Sequence, residues 1–185
     1  MAESRQRPFA ALLDDVGART PAPGGGSGAA WAGAMAAALT EMAASFGPAE
    51  ASRMPEIAAR ARMLREELLT LGETELTAFE PVLEALRLPR DDPSRASAIA
   101  GASGAAAESP IEIARVAAEL AELASEVAST GNPNLVGDAR AGALLAEAVC
   151  QSAVQLARIN LAGQPEDPRL AEGEDLLRRA AVARV

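Results

Sequence analysis

Residues 20–35 read TPAPGGGSGAAWAGAM, a proline-rich turn, three glycines and then an alanine-rich segment of helical composition. Consecutive glycines lose much conformational freedom on folding, so a packed protein keeps them where the backbone approaches another group closely. Ser27 stands where a helix N-cap is expected, and the free N–H groups of the first helical turn would point back over the glycines. Such a loop suits an anion or a polar ligand. A flexible connection is the alternative interpretation of the same residues.

The composition indicates one all-helical domain spanning residues 1–185, a length that supports a sizeable core. Aromatic residues make up 2% of the chain and Tyr is absent. The core must therefore be built from Ala, Leu, Val and Ile, which allow helices to pack closely. A net charge of −9 argues against nucleic acid or an anionic membrane as a partner, because both need a basic face.

Missing residue types narrow the chemistry. The chain has no His and no Lys, which excludes a Ser–His triad, a Walker-type lysine, Schiff-base chemistry and ordinary zinc sites, so we expect no metal site. Cys150 lies in an apolar helical pattern that is typical of a core residue in a reducing compartment. The apolar segment 28–46 is interrupted by Glu41, and the N-terminus lacks the apolar run of a signal peptide. We therefore predict a cytoplasmic protein.

Helical periodicity predicts about seven helices and no strand. The first lies between Pro8 and Gly17, and the second covers about 27–46. A long amphipathic helix follows Pro55 and should be kinked at Pro81. Further helices are predicted to start at Asp92-Pro93, at a capping box over 109–112, at about 139 after an Asp138 cap, and at Asp167-Pro168, the last ending near 183.

Two of these helices carry clear apolar patterns. The second has one large-residue stripe, and its small residues Ala29, Gly33 and Ala37 are spaced so that another helix can approach. The helix near 139–161 is predicted to turn four apolar side chains inward. The two sets of large residues are Trp31, Met35, Leu39, Met42 and Phe46 in the former and Leu145, Val149, Leu156 and Ile159 in the latter.

Two carboxylates are candidates for chemistry. Glu75 interrupts the apolar stripe between Leu71 and Phe79, and a carboxylate there is costly unless it is paired or faces a cavity. Alternatively the stripe shifts to Leu76. Asp138 follows a second polar loop, TGNPN at 130–134. If the helix N-termini after the two loops come together, they would form a polar pocket with Asp138 as acid or base. Helix capping is the alternative role for Asp138 and Ser27.

Several separated motifs occur together in this chain: TPAPGGGSGAAWAGAM, E-x-x-A-F at 75–79, LPR at 88–90 and GNPNLVGDARAGALLAEAVCQSAVQLARINL at 131–161. In this order they resemble the formiminotransferase-cyclodeaminase family, including stand-alone methenyltetrahydrofolate cyclohydrolases. The resemblance covers nearly the whole chain. It implies a cyclodeaminase-like all-α bundle that forms a homodimer and binds a tetrahydrofolate derivative, with no cofactor beyond that substrate.

The resemblance also implies site residues. The catalytic candidates are Asp138 and Glu75, and Arg90 and Arg140 are candidates for an arginine cluster that binds the anionic folate tail. The family usually has Ser at position 137, Asp at 75 and Lys at 90, where this chain has Gly, Glu and Arg. These departures do not put the fold in question, but they do put the exact substrate and the reaction rate in question. The remaining substrate-binding candidates are Pro23, Gly24, Gly25, Gly26, Ser27, Asn132 and Asn160.

The function implied first is formiminotetrahydrofolate cyclodeaminase, which converts the 5-formimino derivative to the 5,10-methenyl derivative and ammonia. The alternative is methenyltetrahydrofolate cyclohydrolase, which opens the same one-carbon bridge with water to give the 10-formyl derivative. Carboxylates can serve either reaction as proton donor or base, without His or Lys. A third alternative is a non-catalytic helical assembly protein on the same scaffold, which Gly137 in place of Ser keeps open.

Overall fold

The structure is a computed structural model that describes residues 7–47 and 53–182. Within these ranges the chain forms eight α-helices, one 3-10 turn at Pro133–Leu135 and no strand, which confirms the all-α prediction. The helices are α1 (Phe9–Val16), α2 (Gly25–Ser45), α3 (Met54–Ala78), α4 (Glu80–Arg87), α5 (Arg95–Ala106), α6 (Glu108–Thr130), α7 (Val136–Asn160) and α8 (Pro168–Val182).

One predicted helix is divided in the structure. The long helix after Pro55 ends at Ala78, and α4 begins at Glu80, with Phe79 between them at φ −92° and ψ −9°. Pro81 explains the break because it has no N–H to continue the ladder and its ring crowds the preceding turn. The division turns the expected seven helices into eight. The predicted end of the last helix near residue 183 lies outside the described residues.

Helices α2, α3, α6 and α7 form the centre of the bundle, and α8 covers α6 and α7. Their contacts are made largely by alanine, with larger aliphatic side chains such as Leu64, Leu68 and Leu120 fully buried. Gly33 shows why small residues are needed: a Cβ there would lie 3.1 Å from Leu68 Cδ1 and 3.4 Å from Val149 Cγ1. The predicted close approach of other helices at this position is confirmed.

Helices α2 and α7 run antiparallel. Gly25 contacts Leu156 at one end of the pair, and Thr40 contacts Gly142 at the other. We call these the cleft end and the loop end, respectively. The N-terminus of α2 therefore lies at the cleft end and the N-terminus of α7 at the loop end. Within one chain, therefore, the two helix N-termini do not come together to form the pocket that the sequence left as a possibility.

The predicted large-residue stripes of α2 and α7 face the core only in part. Met35 in α2 is 48% exposed and Phe46, the C-cap of α2, is 63% exposed, whereas many of the alanines of α2 are buried. In α7, Val149 is buried as predicted, but Leu145 and Ile159 are exposed. The reason is that tight helix packing favours the small-residue face, so the larger side chains are left outside.

Three of the predicted helix caps lie inside their helices. Ser27 is the third residue of α2, and its buried hydroxyl donates a 3.0 Å hydrogen bond to the carbonyl of Gly72 in α3. Asp138 is the third residue of α7 and Ser109 the second residue of α6. None of the three makes a side-chain cap hydrogen bond. Their side chains are therefore not explained by capping.

Cys150 is a core residue, as predicted. It is fully buried, and burial raises the pKa of its thiol to about 11. No helix in the described part of the chain is long and apolar enough to span a membrane.

Candidate functional site

A cleft of about 650 Å³ opens at the cleft end of the α2–α7 pair. The glycine loop and the first turn of α2 form one wall, α3 and α4 form a second, and α6 and α7 close it. The lining is mixed apolar and charged. It consists of Pro21, Ala22, Gly24, Gly25, Gly26, Glu75, Leu76, Phe79, Glu80, Leu83, Glu84, Arg87, Pro110, Leu156, Ile159 and Asn160.

Glu75 is the polar side chain set deepest in this cleft. It is half-buried, and its Oε1 is buried without a hydrogen-bond partner among the described residues. Desolvation raises the pKa of the carboxyl, and the nearby Ser109 hydroxyl opposes this with a smaller effect. Of the two sequence interpretations, a carboxylate facing a cavity is therefore the one that the structure supports.

The glycine loop makes room for this carboxylate. A Cβ at Gly26 would overlap Glu75 Oε2 and lie 2.9 Å from Glu75 Cγ. Gly24 is the N-cap of α2 and makes no side-chain cap bond, so the amides of the first turn have no acceptor within the helix. Close backbone approach, predicted from the three glycines, is thus required at Gly26.

Charge in the cleft is predominantly negative. Glu80 and Glu84 of α4 join Glu75, and Arg87 is the one cation among the lining residues. The arginine cluster predicted from Arg90 and Arg140 is not formed in this cleft. Among the described residues, no group of three His, Cys, Asp or Glu side chains could hold a metal ion.

The structure brings together five of the predicted site residues: Gly24, Gly25, Gly26, Glu75 and Asn160. The Asn160 side chain donates a 2.9 Å hydrogen bond to the carbonyl of Ala106, which ties the end of α7 to α5. The side-chain oxygen of Asn160 makes no hydrogen bond to a described residue.

Two predicted residues lie next to the cleft instead of in it. Pro23 lines a neighbouring cavity of about 430 Å³ with Trp31, and this cavity shares Ala22 and Leu76 with the cleft. Ser27 is buried beneath the loop, where its bond to Gly72 holds the start of α2 against α3. It supports the cleft wall and does not line it.

The other predicted residues, except Arg90, lie at the loop end. Asp138 precedes Leu156 by 18 positions in one helix, which corresponds to about 27 Å at 1.5 Å per residue. Arg140 is on the same turn as Asp138. Asn132 donates a 3.0 Å bond to the carbonyl of Phe46 and accepts a 3.0 Å bond from the backbone N–H of Asn134. Within one chain, these residues do not contact the cleft.

Sequence reasoning missed most of the other lining residues, including Arg87, and also Ser109 beside the cleft. Arg87 follows Phe79 and Leu83 at four-residue spacing, and all three line the cleft, so helical periodicity could have identified it. Ser109 was assigned to a capping box. Its proximity to Glu75 depends on how α6 packs against α3, and no local pattern indicates that contact.

Comparisons with known proteins agree with this fold. The model of the formiminotransferase-cyclodeaminase family matches residues 8–174. A methenyltetrahydrofolate cyclohydrolase of Methylorubrum extorquens is 32% identical over 92% of this chain and 89% of that protein. The mouse formimidoyltransferase-cyclodeaminase is 29% identical over 84% of this chain and 31% of that protein.

A solved structure extends the agreement to the backbone. The crystal structure of formiminotetrahydrofolate cyclodeaminase from Thermotoga maritima matches with a TM-score of 0.82 and 28% identity, over 97% of this chain and 90% of that one. The family match, the end-to-end similarity to a curated relative and the shared backbone are consistent with one another. The chain therefore belongs to the formiminotransferase-cyclodeaminase family.

Proposed function

We propose that this protein is an enzyme that acts on the one-carbon bridge between N5 and N10 of tetrahydrofolate. The observation that carries the proposal is Glu75, a half-buried carboxylate opposite the glycine loop whose inner oxygen has no hydrogen-bond partner in the described part of the chain. Perturbed, unpaired carboxylates in a cleft are typical of acid–base catalysts. No cofactor beyond the folate substrate is needed.

The first candidate reaction is hydrolysis of 5,10-methenyltetrahydrofolate to the 10-formyl derivative. Water adds to the cationic bridge carbon, and a base, here Glu75, accepts one of its protons. The bond from the carbon to N5 then breaks as N5 takes up that proton, and the remaining hydroxyl proton is released as the formyl carbonyl forms. The carboxylates Glu80 and Glu84 would favour a cationic bridge in the same cleft. Similarity to the Methylorubrum cyclohydrolase across most of both chains supports this choice.

The second candidate is the cyclodeaminase reaction, supported by the backbone match to the Thermotoga enzyme. Here N10 attacks the formimino carbon on N5, and the amino group must be protonated before it leaves as ammonia. A carboxyl group whose pKa is raised holds its proton to higher pH, so Glu75 could supply that proton. The same residue thus serves either reaction in opposite protonation states.

A direct assay separates the candidates. The methenyl derivative absorbs in the near ultraviolet, so hydrolysis lowers this absorbance and deamination of the formimino derivative raises it. We expect the first signal when enzyme is added to methenyltetrahydrofolate. Rapid turnover of the formimino derivative alone would favour the cyclodeaminase. If neither signal changes and the fluorescence of Trp31 does not respond to folate, a non-catalytic assembly protein is the remaining interpretation.

We also propose that the active unit is a homodimer. Asp138 and Glu75 are both catalytic candidates, yet in one chain Asp138 lies at the loop end of α7 and Glu75, in α3, lies at the cleft end. They can serve one site only if Asp138 comes from a second copy. The outer face of α2 and α7 offers a surface for that copy: a groove of about 450 Å³ lined by small and apolar residues. Large side chains beside it are exposed, namely Met35, Leu144, Leu145 and Ile159.

Symmetry makes this arrangement specific. In a two-fold dimer the same surface meets itself, so antiparallel contact of the grooves would place the loop end of one copy near the cleft end of the other. Mixing Glu75→Gln with Asp138→Asn subunits tests it. Each mixed dimer would contain one site with both carboxylates intact, so random mixing should restore about a quarter of wild-type activity. No recovery from two inactive variants, or full activity of Asp138→Asn alone, would contradict the shared site.

The folate tail needs a cation, and we propose that Arg87 provides it. The predicted candidates were Arg90, just beyond the cleft, and Arg140, which would enter only from a second copy. We expect Arg87→Ala to raise KM more for polyglutamylated than for monoglutamyl substrate, because an arginine can pair with carboxylates. Arg90→Ala and Arg140→Ala are the comparison variants, and equal effects of Arg87→Ala on both substrates would contradict the assignment.

A further inference from the structure

Ser109 is a buried hydroxyl for which the fold has no evident use. It is 9% exposed, and its Oγ is buried without a hydrogen-bond partner among the described residues. Serine this close to a helix start usually caps the helix, but here α6 begins at Glu108 and no cap bond forms. Buried polar atoms are nearly always paired in folded proteins, so an exception calls for an explanation.

The hydroxyl lies beside the carboxyl group of Glu75. It lowers the pKa of Glu75, against the larger opposite effect of burial, and is the one side chain identified with such an influence. Glu75 Oε1 and Ser109 Oγ are both buried and both lack a hydrogen bond of ordinary geometry with a described residue. The next residue, Pro110, lines the cleft. Two buried polar groups without an ordinary hydrogen bond to a described residue thus lie on neighbouring helices, α3 and α6, beside the cleft.

We infer that Ser109 is a positioning residue for Glu75: its hydroxyl donates to the carboxylate during the reaction and holds it toward the one-carbon bridge. The inference rests on the proposed role of Glu75 in folate chemistry. When Glu75 is protonated, a hydrogen bond donated by the Ser109 hydroxyl stabilises the carboxyl group little. When the carboxyl is ionised, a hydrogen bond from Ser109 stabilises the charge and fixes the orientation of the side chain.

Other groups around the Glu75 carboxyl are not placed to play the same role. The neighbouring helix α4 contributes Glu80, Glu84 and Arg87 to the cleft lining, and all three side chains are exposed. Helix α2 contributes backbone at Gly26, and α7 contributes the uncharged Asn160. Ser109 of α6 is therefore the side-chain donor placed to act on the ionised carboxylate.

The test compares Ser109→Ala with Ser109→Thr, which keeps a hydroxyl, and with Ser129→Ala near the other end of α6. Ser129 bonds only to carbonyls of its own helix, so its loss reports on a serine distant from the cleft. We expect Ser109→Ala to lower kcat about tenfold, the value of one hydrogen bond to a charged group, with KM nearly unchanged. Ser109→Thr should recover activity, and Ser129→Ala should match the wild type.

The pH profile gives a readout that a structural role would not move. Ser109 lowers the pKa of Glu75, so its removal should raise that pKa further. The limb of the pH profile that belongs to Glu75 should shift to higher pH, whether Glu75 acts as base or as acid. Below the pKa of Glu75, where the carboxyl is protonated, the substitution only removes an unpaired buried hydroxyl, so the melting temperature there should stay the same or rise. An unshifted limb, or a loss of activity explained by lower stability, would overturn the inference.

A measurement without turnover keeps this inference separate from the proposed function. In the free enzyme, ¹³C NMR of labelled glutamate carboxyls follows the titration of Glu75, and Glu75→Gln identifies its resonance. A titration that moves to higher pH in Ser109→Ala supports the contact even if no folate is turned over. If the enzyme is active but this titration does not move, Ser109 has no such role and the function of Glu75 stands without it.

Discussion

The cleft end and the loop end of the α2–α7 pair both carry polar side chains, but they use them differently. At the loop end, Asn132 is satisfied: it bonds the carbonyl of Phe46 and the N–H of Asn134. At the cleft end, Glu75 Oε1 and Ser109 Oγ are buried and have no hydrogen-bond partner within residues 7–47 and 53–182. Satisfied polar groups hold a fold together, whereas unsatisfied ones raise its energy unless a ligand or reaction uses them. The comparison supports the proposal that the cleft end of a chain carries the catalytic groups.

One glycine at each end, Gly26 and Gly137, gives a further contrast. Gly26 at the cleft end has no space for a Cβ because Glu75 occupies it, whereas Gly137 at the loop end faces open space. The first glycine is required by a neighbouring side chain, and the second is not. Substitutions at each end therefore test whether the cleft end and the loop end differ in function.

Replacing the carboxyl of Glu75 should have the largest effect. We expect Glu75→Gln to lower kcat/KM about 10²–10⁴-fold, the usual contribution of a general acid or base. The measurement is turnover of both methenyl and formimino substrates at several pH values. Activity within a few-fold of the wild type would show that the cleft end is not where proton transfer occurs.

The same variant should be more stable at neutral pH. The pKa of Glu75 is raised above its ordinary 4.5, so the folded protein binds the proton more tightly than the unfolded chain. Stability is therefore lost as the pH rises from 4.5 through the folded pKa. Glu75→Gln avoids this loss and should raise the melting temperature at pH 7 by about 2–4 °C, with the gain disappearing below the ordinary pKa. Equal gains at acidic and neutral pH would contradict this origin.

The next largest effect is expected for Gly26→Ala. The new Cβ would displace the flexible end of Glu75 and leave the backbone in place, so activity should fall about 10–100-fold, the scale for misplacing a reactive group by about 1 Å. Gly101→Ala in α5 is the matched control, because a Cβ there meets nothing within 4 Å. Both variants should fold. If Gly26→Ala is fully active, Glu75 does not need its present position.

Helix positions were well predicted because their signals are local. Proline at 81 and the apolar spacing of 57–71 determine where α3 runs and breaks, and these depend on nearest neighbours along the chain. The buried face of α2 was not predicted. Its large stripe was expected to be the packed side, but Ala30, Ala36 and Ala37 are fully buried while Met35 is exposed. Close helix approach is a tertiary requirement that outweighs the hydrophobicity of single side chains.

The candidate site was predicted in part for a similar reason. Glu75 and the glycines 24–26 were identified because each breaks a local pattern, and the structure brings them together. Asp138 would meet them only if the N-termini of the two helices came together. Residue spacing along the chain does not determine the relative direction of two helices. Ser27 and Ser109 were interpreted as caps, and each has a long-range neighbour in α3 instead.

Asn132→Ala should have a smaller effect, on stability and not on the cleft of its own chain. Loss of its two partly exposed hydrogen bonds should cost about 1 kcal/mol, or a melting temperature about 2–4 °C lower. Asn134→Ala is the control because Asn134 contributes only its backbone N–H to this contact. Thermal melts and kcat/KM are measured together. A large loss of activity without loss of stability would instead support the substrate-binding role that the family resemblance implies.

Gly137→Ser should have the smallest effect and tests whether the loop end takes part in catalysis at all. Serine is a better helix former than glycine, and Gly137 is exposed in the first turn of α7 with open space around it. The free energy of unfolding should therefore rise by about 0.5 kcal/mol. If a second copy brings Asp138 to the cleft, the restored hydroxyl beside it should also raise kcat/KM about two- to tenfold, the value of one added hydrogen bond. Enzyme that is more stable but no faster would separate the loop end from catalysis, because the substitution would then act through helix propensity alone.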